Sequence, residues 1–220
     1  MECVIYMSVG SEFKSSGITK DSPENMLLGA GTIHKGLKYD PVKKAWNFSE
    51  SLLFATSGGS KLKIKPTFTD YDVDGATVKI KGFQRKTGET ATLETNPIEI
   101  TPEVFKMSLV GDEKDSETAE GYKEITSRAL ITEGDYLENL AYVGKKANGT
   151  PVIIIFDYAI CTSGLELEGK NKEASTPTLE FECVAETSPE ADRLPWHIFY
   201  PKADSEANTN TDAGNKGKTE

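Results

Sequence analysis

The feature that most constrains the fold of this chain is an Asn148-Gly149 pair between two long apolar runs. Residues 137–145 and 150–161 flank the pair, and Asn-Gly between apolar runs is the strongest short-range signal for a β-hairpin. Val152–Phe156 is apolar throughout, without alternation, which is typical of a strand buried on both faces. The sequence therefore predicts a hairpin that belongs to the core of a β-protein.

Further strands are predicted along much of the 220-residue chain, and two of them, Thr77–Phe83 and Thr90–Ile100, alternate apolar with polar residues. They cover Leu27–His34, Leu62–Val73, Thr77–Phe83, Thr90–Ile100, Tyr122–Ile131 and Thr178–Val184. Pro66 is expected to break the second of these strands, and Lys86-Thr87-Gly88 is expected to turn the chain between the third and the fourth. The charged stretch 111–121 is predicted to be a loop.

One short helix is predicted after these strands. Thr101 is a good N-cap, and Pro102 suits the first helical position. The helix is expected to end near Gly111. From the residues alone, we predict one long β domain with a short helix.

Residue composition divides the chain into three parts. Residues 1–26 are mixed and polar and are interpreted as an N-terminal arm, and residues 27–202 hold the strand patterns. Residues 203–220 contain no large apolar side chain, so they cannot offset the entropy of ordering. We therefore predict a disordered C-terminal tail.

The net charge of −10 bears on possible partners. An acidic surface repels nucleic acid and anionic lipid, so tight binding to phosphate groups is not expected. The longest apolar run, Val152–Phe156, is far shorter than a membrane span. The N-terminus lacks the pattern of a secretory signal. We expect a soluble protein that does not associate with membranes.

Residue types that carry catalysis are scarce. The three cysteines, Cys3, Cys161 and Cys183, form no C-x-x-C motif, and the only histidines are His34 and His197. Each histidine is interpreted as a packing or surface residue, because nothing near it in the sequence suggests a catalytic triad. We expect no enzymatic activity and no cofactor.

Asp70, Asp72 and Asp74 alternate ahead of Gly75 and allow two interpretations. They resemble the start of a calcium-binding loop, but the following residues, ATVKIKGF, do not continue that motif. An acidic strand edge that closes at a glycine turn is the favoured interpretation. No metal site is predicted.

Several segments, taken in order, resemble the major tail protein, or tail tube protein, of long non-contractile-tailed bacteriophages. The segments are LLGAGTIH, ATSGGSKLKI, YDVDGATVKIKG, ETATLETNPIEITPEVFK and YLENLAYVGKKANGTPVIIIFDYAICTSGLEL, followed by a Glu-rich strand and Pro195-Trp196. The resemblance covers roughly residues 25–200 and depends on the order of the segments, because no single one is a specific fingerprint.

This resemblance implies a single-domain β-sandwich or partly closed β-barrel with one short flanking α-helix, as in the tube proteins of contractile tails and type VI secretion. It implies a homo-oligomer of hexameric rings, stacked into a tube around a tape-measure protein and bounded by tail-tip and terminator proteins. The genome would pass through the lumen without specific binding. The implied location is the tail of the virion, after assembly in the cytoplasm of the bacterial host.

Two segments, the arm 1–26 and residues 35–60, are too apolar for free loops and too interrupted for regular strands. Exposed aromatic residues either pack back on their own domain or bind a partner, and both outcomes are left open for these segments. The candidate ring-stacking residues are Tyr39, Trp46, Phe48, Leu52, Leu53 and Phe54.

Two other functions remain open at the level of sequence. The first is the tube protein of a contractile tail, a tailocin or a secretion apparatus, which would share the fold. The second is a monomeric β domain that decorates a virion or binds another surface.

Overall fold

A computed structural model of the chain describes residues 16–169, 171–172, 174–188 and 191–202. Most of the regular structure in these residues is β-strand. The strands are β1 (Leu27–His34), β2 (Tyr39–Asp40), β3 (Ala45–Trp46), β4 (Leu52–Phe54), β5 (Thr56–Asp70), β6 (Gln84–Pro97), β7 (Gly111–Asp115), β8 (Lys123–Ser127), β9 (Leu137–Lys146), β10 (Pro151–Cys161), β11 (Leu179–Cys183) and β12 (Trp196–Phe199). The helices are α1 (Ser22–Asn25), α2 (Phe48–Ser51), α3 (Pro102–Ser108) and a 3-10 turn (Glu133–Asp135). The predicted mainly β fold class is confirmed.

An eight-stranded antiparallel sheet organises the molecule. Its strand order is β4-β1-β9-β10-β11-β6-β5, and β12 also pairs with β10. The predicted hairpin is present as β9 and β10, with Ile155 opposite Ala141. On its other edge, β10 pairs with β12 over Ile153–Phe156 and with β11 over Ala159–Cys161. The hairpin identified from Asn148-Gly149 therefore lies at the centre of the sheet.

The sheet curls until its two end strands meet. β4 ends at Phe54 and β5 begins at Thr56, although these strands lie at opposite ends of the sheet order. Consecutive Cα atoms are about 3.8 Å apart, so the single residue Ala55 connects the two end strands directly. The Ile98 N–H donates to the Ala55 carbonyl at 3.0 Å. No ladder joins β4 to β5 in the described residues, so the sheet does not close into a barrel.

Apolar clusters cover both faces of the central strands. The larger cluster includes Phe156 of β10, Phe181 of β11 and Val104 of α3. A smaller cluster on the other face of β10 contains Ile153 and Ile155. The prediction that the run 152–156 is buried on both faces is therefore confirmed.

The strand predicted over Thr77–Phe83 and the turn predicted at 86–88 are both wrong. β6 continues through the predicted turn and pairs with β5, and residues 71–83 form the loop between these two strands. The break predicted at Pro66 is also absent, because β5 is an edge strand, where proline is tolerated. The alternation in 77–83 lies instead in a loop bounded by Gly75 and Gly82, which both have positive φ angles.

The loop predicted over 111–121 is partly wrong. Its first five residues form β7, which pairs with β8 in a separate two-stranded sheet. Lys114 lies opposite Glu124, with Nζ and Oε2 3.7 Å apart. Charged residues of opposite sign on facing strands stabilise a ladder. The high charge of this stretch favours a loop when the partner strand is not considered.

The predicted helix is confirmed as α3. The Thr101 hydroxyl accepts from the Val104 N–H at 3.3 Å, and Pro102 is the first helical residue. The helix ends at Ser108, shortly before Gly111. Of the predicted arm, 1–26, only residues 16–26 are described, and they contain α1. The predicted tail, 203–220, lies outside the described residues.

Candidate functional site

The β5–β6 hairpin has a base that packs against the core. Leu62 lies opposite Leu93, and Ile64 lies opposite Ala91. Leu93 and Ala91 are core residues, and both β5 partners pack against the same cluster. On its other edge, β6 pairs with β11 only over 92–95. The support that the sheet gives to this hairpin ends near Ala91.

The distal half of the hairpin projects from the sheet. Every residue from 65 to 88 is exposed, and no other described strand pairs with this part. At about 3.3 Å per residue, 65–70 alone extends roughly 20 Å. Cross-strand polar contacts hold the ribbon together, such as the 3.0 Å hydrogen bond between the Thr69 and Thr87 hydroxyls. A two-stranded ribbon without backing is marginally stable in water.

Residues 71–83, here called the tip, connect the two projecting strands. The Tyr71 N–H donates to the Phe83 carbonyl at 2.9 Å and closes the loop at its base. The Ala76 N–H donates to the Val73 carbonyl at 3.0 Å, in a turn that includes Gly75. The tip thus has a defined set of internal hydrogen bonds.

Large apolar side chains are concentrated at and beside the tip. The exposed ones are Phe68, Tyr71, Val73, Val78, Ile80 and Phe83, and Val78 is 75% exposed. Contiguous apolar surface on a soluble domain commonly marks a binding site. The tip is therefore a candidate interaction surface.

The aspartates singled out in the sequence lie at the start of the tip. Asp70 pairs with Lys79 at 2.6 Å, and hydrogen bonds from Lys79 and then Gln84 hold the pKa of Asp70 below its usual value. Asp72 and Asp74 are exposed. Within the described ranges, no group of three His, Cys, Asp or Glu side chains is placed to hold a metal ion. The pairing of Asp70 agrees with a structural role for this cluster.

An open groove of about 770 Å³ lies between the β2–β3 hairpin and strands β10 and β12. Ile153 and Ile155 line it from β10, and Trp46 and Phe199 line it from β3 and β12. The rings of Trp46 and Phe199 meet edge to face, with centroids 4.9 Å apart. Tyr39 packs on Trp46 at 5.4 Å. We call this feature the aromatic groove.

Lysines outnumber carboxylates in and next to the β2–β3 hairpin. Lys38 lines the groove, and Lys43 and Lys44 lie in the turn between β2 and β3. The carboxylate of Asp40 accepts from the Val42 N–H at 2.8 Å and so shapes this turn. On the opposite side, Asp157 and His197 approach to 3.3 Å. The turn therefore adds two lysines to the hairpin that forms one side of the groove.

The structure places the six predicted stacking residues in four environments. Tyr39 and Trp46 line the aromatic groove, and Tyr39 is 48% exposed. Phe48 packs on the smaller apolar cluster, whereas Leu53 and Phe54 pack with the larger one. Leu52 lies on edge strand β4 and is 54% exposed. The six residues do not form one surface.

His34, one of the two histidines, is held in the fold by burial and hydrogen bonds. His34 is buried, and its ring nitrogens contact the Thr32 hydroxyl at 2.9 Å and the Ser51 hydroxyl at 3.0 Å. Burial lowers the pKa of His34, against a weaker raising effect of a backbone hydrogen bond at Phe48. His34 thus links β1 to the end of α2, which agrees with its interpretation as a packing residue.

Sequence patterns do not identify the tip as a candidate interaction surface. Its alternation favours a strand over 77–83, and Lys86-Thr87-Gly88 is a turn-like tripeptide. One signal points the other way: Asp74-Gly75 is itself a strong hairpin-turn pair, and strand patterns lie on both sides of it.

Comparisons with known proteins establish no family for this chain. No family model matches it, and no curated protein matches it. Among solved structures, a chain from the virion of a native gene transfer agent particle overlaps 71% of this chain and 92% of its own length, at 9% identity and a TM-score of 0.38. That score is too low to establish a shared fold. None of the helices in the described part of the chain is long and apolar enough to cross a membrane.

Proposed function

We propose that this chain is a structural protein of a phage virion, the tail tube protein of a long non-contractile tail. The observation that carries the proposal is the projecting β5–β6 hairpin, which is exposed over 65–88 and has an apolar tip. The resemblance seen in the sequence over roughly residues 25–200 supports the same function. The open, curled β-sheet is compatible with it.

The exposed surface of the hairpin favours assembly with other chains over a monomeric state. Exposed apolar side chains and unpaired strand edges favour association with other chains. Natural monomers usually shorten or cover such edges, but the distal hairpin has two edges that no other described strand covers. A partner that covers the ribbon would stabilise it.

A tube requires two kinds of contact between identical subunits. Contacts around a hexameric ring close on themselves, whereas contacts between rings repeat without closure and produce a filament. A projection from one side of a subunit can supply a contact between rings, since it reaches a different surface on a copy in the next ring. We assign the hairpin to the contact between stacked rings.

The remaining parts of the proposal concern partners and location. The rings would surround a tape-measure protein and end at tail-tip and terminator proteins, in a virion assembled in the cytoplasm of the host. The net charge of −10 favours passage of DNA through the lumen without binding, because like charge prevents the counterion release that drives phosphate binding. In this function the chain needs neither a cofactor nor a catalytic site.

Sedimentation velocity and negative-stain microscopy of the purified full chain test the proposal. We expect rings or tubes of uniform diameter at high concentration. A protein that remains monomeric at every concentration, with and without tail-tip proteins, would contradict the proposed function.

A matched pair of variants tests the role of the hairpin within that assembly. Val78→Asp places a charge on the tip, whereas Leu130→Asp places the same charge at another exposed apolar residue, outside the hairpin. We expect the first variant to fold but not to form tubes, and the second to form them. Normal tubes from Val78→Asp would exclude the tip from the contact between rings.

A further inference from the structure

We propose that the aromatic groove of one copy receives the hairpin tip of a second copy. This inference rests on the proposed function, since it names the surface that the hairpin of an adjacent ring would occupy. It also gives Tyr39 and Trp46, two of the residues predicted from the sequence, a definite place in the contact.

The tip and the groove match in chemical character. The tip presents Val78, Ile80 and Phe83 to solvent, and the groove is lined by Ile153, Ile155 and aromatic rings. Joining two apolar surfaces removes both from water and is favourable in proportion to the area buried.

The sizes are also compatible. A volume of about 770 Å³ lies within the range of about 300–1,000 Å³ typical of sites that bury a small ligand. Such a groove can hold a few apolar side chains of a turn, but not a whole strand pair. The narrow end of the hairpin is the part that fits.

Charge complementarity favours the same pairing. Asp72 and Asp74 are exposed on the tip and have no ion-pair partner among the described residues. Lys38 lines the groove, and Lys43 and Lys44 lie in the turn that joins the strands carrying Tyr39 and Trp46. Lys43 has only a long 3.9 Å contact with Asp40. Opposite charges at the rim of an apolar contact orient the partners and exclude wrong registers.

Other occupants are less well matched. The tip side chains are exposed in the protomer, so they do not fill the groove of their own chain. Residues 203–220 follow Pro201 at the groove but contain no large apolar side chain. Residues 1–15 do contain apolar side chains, and the test below distinguishes them.

Photo-crosslinking of the full chain identifies the occupant directly. Tyr39 is replaced by p-benzoyl-phenylalanine, and assembled tubes are made from a mixture of normal and 15N-labelled chains. Irradiation is expected to join the groove of one chain to peptides within 68–83 of another, which is recognised by the mixed isotope pattern. Crosslinks to residues 1–15, to 203–220, or only within one chain would overturn the inference. If wild-type chains form no assembly under any condition, the proposed function fails instead.

A charge exchange checks the same contact without a bulky probe. Asp72→Lys with Asp74→Lys, or Lys43→Asp with Lys44→Asp, is expected to raise the critical concentration for tubes about tenfold, since each pair of changes brings like charges together. All four changes in one chain are expected to restore the wild-type value. If the combined variant assembles no better than either parent, the two sites do not face each other.

Discussion

Residues 35–54 and residues 65–88 are both rich in apolar side chains, but the first region packs on the sheet and the second projects from it. In the first region, Leu37 is buried and Trp46 and Phe48 pack on the outer face of β10. In the second, every residue is exposed. The difference teaches that apolar composition alone does not decide whether a segment packs or projects. The neighbouring strands decide it: β9 and β10 offer the first region an apolar face, whereas the sheet ends before it can back the second.

The largest expected difference in the free energy of unfolding of the protomer is between substitution of a core residue and substitution of a tip residue. Phe156 belongs to the core, whereas Phe83 lies at the end of the tip. Phe156→Ala should lower the free energy of unfolding of the protomer by about 3–5 kcal/mol, because it leaves a cavity. Phe83→Ala should change it by less than about 0.5 kcal/mol. Urea denaturation under conditions that prevent assembly measures both, and equal losses would show that the tip is part of the folded core.

A smaller effect is expected for the region that packs back on the sheet. Phe48→Ala should destabilise the protomer by about 1–3 kcal/mol, less than a fully buried phenylalanine, because Phe48 is only half-buried. Tyr71→Ala at the tip is the matched control and should leave the protomer unchanged. If Phe48→Ala had no effect on the protomer but abolished tubes, residues 35–54 would be a stacking element in their own right.

The smallest expected effect is a change in the free energy of unfolding of the protomer with pH. It involves the packed part of the molecule and not the tip. Burial lowers the pKa of His34 from its ordinary value of 6.5, so the unfolded chain takes up a proton more readily than the folded one. The contribution of neutral His34 to the free energy of unfolding is complete above about pH 6.5 and declines as the pH falls below this value. We expect the free energy of unfolding of the protomer to decrease between about pH 6.5 and pH 5.

His34→Asn provides the control for this prediction, since it removes the titrating group and keeps a polar side chain near Ser51. The difference in stability between wild type and variant should narrow as the pH falls. A difference that stays constant across this interval would mean that protonation of His34 is not linked to folding.

Much of the sheet could be predicted from the sequence, because its signals are local. Asn148-Gly149 specifies the central hairpin, and Thr101-Pro102 specifies the start of α3. The strand order could not be predicted in the same way, since β1 pairs with β9 across more than a hundred residues of chain. Register between such distant strands depends on packing, which no local pattern records.

The ring-stacking role of residues within 35–60 stays a prediction, and their placement could not be predicted for a related physical reason. The segment is too apolar for a free loop and too interrupted for a regular strand, and most of its aromatic residues find partners on the sheet, as Phe54 does in the core at 4% exposure. The tip has the more regular pattern and was therefore assigned to a strand. Whether a regular segment is backed by other strands depends on the length of its neighbours, here β11, which pairs with β6 over only 92–95.

Hydrogen exchange of the free protomer and of assembled tubes tests the central claim most directly. Amides of the tip, 71–83, should exchange rapidly in the protomer and become strongly protected in tubes, because a partner then covers them. Amides of β9 and β10 should be protected in both states and serve as the internal reference. Equal exchange of the tip in protomer and tube would contradict the claim that this hairpin is the element that joins one ring to the next.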